Sequence, residues 1–423
     1  MSAANTDVDV GKLRAAVLTW GCVSIRQRLR YVRQFRRLLR KNWRVLPDFF
    51  PQRPPLETWT AELLPILAAC RFLEKNSTSL LKARRAGIWG RPLWLPGVTS
   101  VIERRAHGAV LILAPGNYPL MLPGIQMLQA LVAGNAVALK PAPGAEAVAR
   151  YLIILLVKAG FPSDLLHLLP VDAGPDAVQS GFDLIILTGA AKTGRAVLEA
   201  AAKTLTPTIC ELSGVDPVFV LPGADLELVV RKLVYGARLN NGATCIAPHR
   251  VFTTNAQNLK RLIKAALSGM PDLTIEPAMR SRRDDFVGSL RAAGVEVEQV
   301  GDVVVFEATK STERLIDDDL FAPWLAIVEV EDVKEALEKT RAQAYALGAS
   351  IFGPVSAAEA LAQQLPAGSI CINDLIIPTA DPRLPFGGRG ESGFGVTRGP
   401  EGLLALTRPV VISQRHIFWS RFG

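Results

Sequence analysis

Two side chains able to do covalent and acid–base chemistry, Glu211 and Cys245, lie 34 residues apart in this chain. Cys245 follows the run Asn240-Asn241-Gly242-Ala243-Thr244. Residues this small and turn-prone leave a thiol reachable and let a backbone N–H point into the same space. A nucleophilic cysteine needs both, along with a means of lowering its pKa. Taken singly, a loop cysteine is more often a small buried hydrophobe. Glu211 ends an apolar run that reads as a strand, and the carboxyl ends of parallel strands are where such sheets bind ligands. Asn117 follows another such run, in Ala114-Pro115-Gly116-Asn117-Tyr118-Pro119. Its amide could donate to a developing oxyanion, or it could form an Asx turn ahead of a helix. The stretch Thr188-Gly189-Ala190-Ala191-Lys192-Thr193-Gly194 leaves a strand and opens a helix. That N-terminus could take a pyrophosphate, although the G-x-G-x-x-G pattern is incomplete.

These residues need a scaffold to position them. Residues 1–86 have a helical pattern, broken at Pro51, Pro54 and Pro55. Residues 87–105 carry Gly87, Gly90, Pro92, Pro96 and Gly97 and then alternate, which predicts a loop into an edge strand or hairpin. From Gly108 the chain alternates strands (109–113, 136–140, 165–169, 184–187, 208–211, 218–221) with helices (119–132, 146–159, 192–203, 225–239). Gly134 and Gly160 are placed to end two of the helices. Short links between alternating elements predict a parallel sheet covered on both faces. A second α/β stretch begins near Ala247, with strands at 350–353 and 369–373 and a glycine-rich loop at 385–395. An extended run at 409–413 precedes a basic aromatic end.

The length of 423 residues exceeds what one ordinary core serves, so two large lobes are expected. Hydrophobic residues make up 49% and charged residues 21%, a soluble globular balance. No apolar run reaches the roughly 18 residues of a membrane span. Asp7 and Asp9 before the apolar run 15–25 do not suit a signal peptide. Cys22, Cys70, Cys210, Cys245 and Cys371 are odd in number and form no C-x-x-C pair. They point to a reducing cytoplasm rather than disulfides or zinc, and the four histidines make no metal pattern. Charge is uneven: residues 1–105 hold 20 Lys/Arg against 7 Asp/Glu, and the rest 28 against 32. The excess centres on 26–44, where Ile25, Leu29, Val32, Phe35 and Leu39 fall at helical spacing. Such a helix suits weak contact with an anionic lipid surface; equally, it is a packed helix with a solvated face. No nucleic-acid module accompanies the charge.

In order along the chain, seven segments resemble the signatures of the aldehyde dehydrogenase superfamily, over about residues 105–255 and 315–412. Asn117 matches the asparagine of W-N-[FY]-P, and Gly134-Asn135 through Lys140-Pro141 matches A-G-N-x-x-x-x-K-P. Thr188-Gly189 through Gly194 matches F-T-G-S-x-x-x-G, Glu211 the glutamate of E-L-G-G, and Cys245 the cysteine of G-Q-x-C-x-A. Asp319 to Pro323 is similar to E-[IV]-F-G-P, and Pro385 to Gly388 with Glu391-Ser392-Gly393 matches the C-terminal P-F-G-G signature. Residues 200–207, Asn373-Asp374 and the total length look closest to the short class 3, fatty-aldehyde-type branch.

The resemblance implies a doubly layered α/β fold. Its dinucleotide-binding domain would span 1–86 and 107–211, its catalytic domain 212–398, and a small oligomerisation element 87–106 and 399–423. It implies NAD(P)-dependent oxidation of an aldehyde, with Cys245 as nucleophile, Glu211 as water-activating base and Asn117 on the oxyanion. NAD or NADP would be held by Lys140, Pro143, Thr188, Gly189, Ala190, Gly194, Leu212, Asp319, Phe321 and Phe386, without metal. A cytoplasmic homodimer acting on a small-molecule aldehyde is the implied assembly. This chain departs from the pattern at Gly116, Ala243, Ser213 and Asp319, and Pro143 stands where NAD-specific members often carry a glutamate. Two other readings fit the motifs, a coenzyme A-linked acyl-transferring reductase and a non-catalytic protein of the same fold. Glu211 counts against the first and the intact trio against the second.

Overall fold

The computed structural model describes residues 9–87, 89–317 and 320–415. The chain opens with two helices, α1 (Val10–Gly21) and α2 (Ile25–Lys41), capped by the side chains of Asp9 and Ser24. The short α3 (Pro55–Thr58) and a π-helical turn, Trp59–Leu63, lead into α4 (Leu64–Leu80). Leu29, Val32, Phe35 and Leu39 of α2 are buried, as their spacing demands. Several of its arginines are structural. Arg33 and Arg36 both reach Glu74 on α4. Arg28 is buried and donates to the carbonyls of Trp20, Gly21 and Val132 at two helix ends, where carbonyls lack their full set of intrahelical partners. The helical pattern does not run on to residue 86: Arg84–Ala86 is a strand, β1, pairing antiparallel with β2 (Val98–Ala106).

The chain then builds a parallel sheet from β3 (Ala109–Leu113), β4 (Ala136–Lys140), β5 (Leu166–Leu168), β6 (Leu184–Gly189) and β7 (Thr208–Leu212), in the order β7-β6-β3-β4-β5. The crossovers are α5 (Met121–Ala133), α6 (Glu146–Lys158), α7 (Gly174–Gln179) and α8 (Ala191–Ala202). Gly134 ends α5 at φ 104°, a left-handed position that glycine takes without steric cost. A second sheet follows: β8 (Pro217–Val220), β9 (Arg250–Thr253), β10 (Val297–Val300), β11 (Val303–Glu307) and β12 (Trp324–Glu329). After β13 (Tyr345–Ala346) it is completed by β14 (Gly348–Phe352) and β15 (Ser369–Ile372). Its order is β10-β11-β12-β9-β8-β14-β15, with β10 antiparallel. Helices α9 (Leu226–Arg238) and α10 (Ala256–Leu267) cover one face. β16 (Arg389–Gly390) pairs with β13, and β17 (Gly393–Phe394) returns to pair with β7. β18 (Thr407–Arg415) lies antiparallel to β2 along its whole length. β2 is therefore the middle strand of a three-stranded sheet, not an edge, because the distant chain end supplies a second neighbour.

Alternation along the strands of the second sheet sends Phe219, Phe252, Phe306 and Trp324 to one apolar layer and Val218, Val251, Val305 and Leu325 to the other. Among the described residues, no helix is long and apolar enough to cross a membrane.

Asn135, fully buried, ties the chain end to the first sheet. Its Oδ1 accepts from the Gly108 N–H at 3.0 Å, and its Nδ2 donates to the carbonyls of Ala130 at 3.1 Å and Leu406 at 2.9 Å. Asn135→Leu leaves the Gly108 N–H and the Leu406 carbonyl buried without that partner, at about 1–3 kcal/mol per group, whereas the Ala130 carbonyl keeps the N–H groups of Gly134 and Asn135. Urea unfolding should show a loss of about 2 kcal/mol or more; a loss below about 1 kcal/mol would mean that water takes over these bonds.

Candidate active site

The loop carrying Cys245 begins where α9 stops. Asn240 and Asn241 adopt left-handed backbone at φ 53° and 56°, which asparagine tolerates better than most residues. Gly242 follows at φ 84° against another loop, where a Cβ would come within 2.3 Å of the Pro323 nitrogen, so only glycine fits. Asn240 Nδ2 donates to the carbonyls of Asn117 at 2.9 Å and Ala243 at 3.0 Å, and its N–H donates to Glu57 Oε1 at 2.8 Å. Asn117 Nδ2 donates to the Ala243 carbonyl at 3.2 Å, which leaves its second N–H for another acceptor. The Tyr118 and Thr244 hydroxyls bond at 2.7 Å. The loops of Asn117 and Cys245 are thus joined at several points.

Beneath them lies a buried ion pair. Arg53 Nη1 meets Glu62 Oε1 at 2.8 Å, and Glu62 Oε2 accepts from the Met121 N–H at 2.6 Å. Arg53 also donates to the Asn117 carbonyl and stacks over Phe50 and Tyr118. Burial pushes the Glu62 carboxyl up, and the Arg53 charge opposes that shift.

Glu211, only 3% exposed, lies on β7 opposite Thr188 of β6 and Gly393 of β17. Its Oε2 accepts from Thr397 Oγ1 at 2.7 Å, and its buried Oε1 has no hydrogen-bond partner among the described residues. Burial raises its pKa, while the Arg398 charge and the Thr397 hydrogen bond act the other way. Phe386 and Thr397 exchange two backbone hydrogen bonds of 2.8 Å, and Arg398 stacks on the Phe386 ring at 4.2 Å. A cavity of about 1400 Å³ joins these groups: Cys245, Glu211, Phe386, Arg398, Tyr118 and Met121 line one part. Leu226, Val230, Val234, Leu262 and Ala266 of α9 and α10 line another. Cys245 is half-buried.

Of the residues expected to hold a dinucleotide, Phe386 lines this cavity, while Lys140, Thr188, Gly189 and Leu212 lie at strand ends. Lys140 closes β4, half-buried, its pKa lowered by burial and raised by Asp172 and Glu146. Pro143 is exposed in the following loop. Thr188 accepts from Gln126 Nε2 at 3.1 Å, Ala190 precedes α8, and Gly194 within α8 packs so tightly on Leu212 that a Cβ would meet Leu212 Cδ1 at 2.7 Å. A helix N-terminus and a half-buried ammonium on one sheet edge form a donor set suited to a pyrophosphate and a ribose. The register Thr188↔Glu211 sets this edge beside the carboxylate. Phe321 is partly buried next to the segment that Gly242 abuts; Asp319 lies outside the described residues. Among the described residues no metal-binding cluster of His, Cys, Asp or Glu occurs.

Sequence reasoning missed Arg53, Glu57, Glu62, Thr397 and Arg398. Glu62 left a signal, an acid between Ala61 and Leu63-Leu64 on an otherwise apolar stretch. Arg398 left none, since an arginine between Thr397 and Gly399 after a glycine-rich loop reads as surface.

A family model described as the aldehyde dehydrogenase family matches residues 1–412. A 4,4'-diapolycopene aldehyde oxidase of a Methylomonas species is 30% identical, over 94% of this chain and 79% of its own. A Mycobacterium tuberculosis protein named for succinate-semialdehyde and NADP(+) is 28% identical, over 99% of this chain and 86% of its own. The fold is similar to that of a Mycobacterium tuberculosis aldehyde dehydrogenase solved with NAD+. Its TM-score is 0.88 at 21% identity, covering 96% of this chain and 89% of that one.

Arg53→Met leaves Glu62 buried without its cation and should cost about 3–5 kcal/mol on chemical unfolding. Adding Glu62→Met should recover a large part of that stability but leave turnover low, because the Asn117 carbonyl still lacks its Arg53 donor. Full activity in the double variant would show that the ion pair does not position the Asn117 loop.

Proposed function

The chain belongs to the aldehyde dehydrogenase family, and on that premise we propose that it oxidises an apolar aldehyde to the carboxylic acid through Cys245 and Glu211, using NAD or NADP. The observation that carries this reading is that a half-buried thiol and a buried carboxylate from different parts of the chain face one large, largely apolar cavity.

The Cys245 thiolate adds to the aldehyde carbonyl. The remaining Asn117 N–H and the Cys245 backbone N–H receive the oxyanion, at about 3–4 kcal/mol per donor. A bound nicotinamide would supply the hydride acceptor for this step, and the acyl group would stay on the Cys245 sulfur as a thioester. Glu211 Oε1, left without a partner while Thr397 holds Oε2, takes the proton of a water that attacks the thioester. Lys140 and the N-terminus of α8 would hold the dinucleotide, and Phe386 would pack near its reactive ring. The uncharged Pro143 removes a carboxylate that would repel a 2′-phosphate, so NADP is accepted beside NAD. The open edge of β18, with Val411 and Ile412 exposed, suits pairing with a second copy of the chain. Kinship with the short class 3 branch belongs to the same reading.

Glu211→Gln should give a burst of reduced cofactor near one equivalent per Cys245 and then slow turnover, while Cys245→Ala gives neither. In the parent enzyme the hydrolytic step should weaken as pH falls towards the raised Glu211 pKa, and that limb should vanish in Glu211→Gln. An unchanged steady-state rate in the glutamine variant, with or without coenzyme A, would move the base elsewhere.

Each methylene that enters the cavity should add about 0.8 kcal/mol, or roughly fourfold in kcat/KM, until the chain reaches the rim. A panel of straight-chain aldehydes, run with each cofactor, reads this directly. A profile that is flat or falls from short to long chains would remove the apolar substrate.

A further inference from the structure

A thiolate and a carboxylate must both carry charge here, within walls that are mostly apolar, and burial opposes that charge. Arg398 lines the same cavity as Glu211 and Cys245, and both act on its guanidinium by charge. It is itself buried, with Nη1 donating to the Thr379 carbonyl at 2.9 Å and the guanidinium carbon 4.2 Å from the Phe386 ring centroid. Its backbone sits at φ 61°, ψ 177°, a region otherwise occupied almost only by glycine. Such a conformation persists only where the surroundings over-determine it, and here the paired backbone of Phe386 and Thr397 does so. Adjacent residues therefore act on one carboxylate, Thr397 by a hydrogen bond to Oε2 and Arg398 by charge.

Of the other charged groups in the cavity lining, Arg231 pairs with Glu227 and Arg238 donates to the Pro271 carbonyl, all three on α9, and Asp272 lies beyond α10. On the N-terminal segment, Arg53 and Glu62 pair with each other, and Glu57 is held by the Asn240 N–H. On the loop after β3, burial keeps the Tyr118 phenol neutral. Beyond Cys245, buried His249 stacks on Trp324, its pKa lowered to about 4.

Resting on the aldehyde oxidation set out above, we propose that Arg398 is a positioning residue of this site: a clamped guanidinium that holds negative charge on the Cys245 sulfur for attack and on the Glu211 carboxylate for taking up the water proton. Arginine suits this role because it keeps its charge when buried and stacks on an aromatic face.

The test reads the thiol directly. The rate of Cys245 alkylation by iodoacetamide is followed against pH, with mass spectrometry locating the label, in the parent enzyme, Arg398→Met, Arg398→Gln and Arg398→Lys. Loss of the charge should move the midpoint up by about one unit or more, so that alkylation near neutral pH falls about tenfold or more. Arg398→Lys should stay close to the parent. Glutamine keeps an N–H for the Thr379 carbonyl and carries the test if the methionine variant does not fold. An unmoved midpoint in either folded neutral variant overturns the proposal. So does failure of both to fold while lysine folds normally with a shifted profile, since the residue would then be needed for packing alone. Alkylation needs no aldehyde turnover. A midpoint that responds as expected in a protein that oxidises no aldehyde would instead mark failure of the functional reading.

Discussion

The difficulty of keeping charge in an apolar place governs this molecule. Transfer of a carboxylate into low dielectric is costly unless hydrogen bonds and opposite charge offset it. Glu211 is 3% exposed beside a largely apolar cavity, yet the base proposed for it must keep an open lone pair. The compromise is visible atom by atom, with one oxygen satisfied by Thr397 and the other unpartnered. A fully satisfied carboxylate would be more stable and a poorer base.

The same constraint recurs one layer down, at Arg53 and Glu62. Their pair is fully buried, and a buried pair is weak evidence for stability. Its value lies in where its spare donors and acceptors go: to the Asn117 carbonyl and the Met121 N–H, either side of the loop that must not move. Asn240 repeats the device from the opposite side, tying the Asn117 and Ala243 carbonyls together. The helical N-terminal segment, which shares no residue with the expected chemistry, thus holds two loops in register.

Strands within residues 109–221 were legible because apolar runs bounded by turn residues have few other uses in a soluble chain. Gly134 and Asp225 mark helix ends by mechanisms visible in one residue. Cys245 and Glu211 were legible because their spacing sits within ordered motifs, and the structure sets both on one cavity. Arg84–Ala86 was not: three residues cannot show a period, and their strand exists only because β2 lies alongside. Thr397 and Arg398 were illegible for a related reason. Their meaning depends on contacts made nearly 200 residues away, at Glu211, and spacing along the chain carries no trace of these.

That separation bears on how the protein is made. β17, Thr397 and Arg398 follow Cys245 by roughly 150 residues, and β18 after them closes on β2 across some 300 residues of chain. Cys245 is synthesised 153 residues before Arg398, an interval of roughly 8–30 s at about 5–20 residues per second. During that time the nascent thiol lacks its buried cation and the carboxylate its hydroxyl partner. On the role proposed for Arg398, the thiol gains its reactivity only after that arginine is made, when the nucleophile already has walls around it.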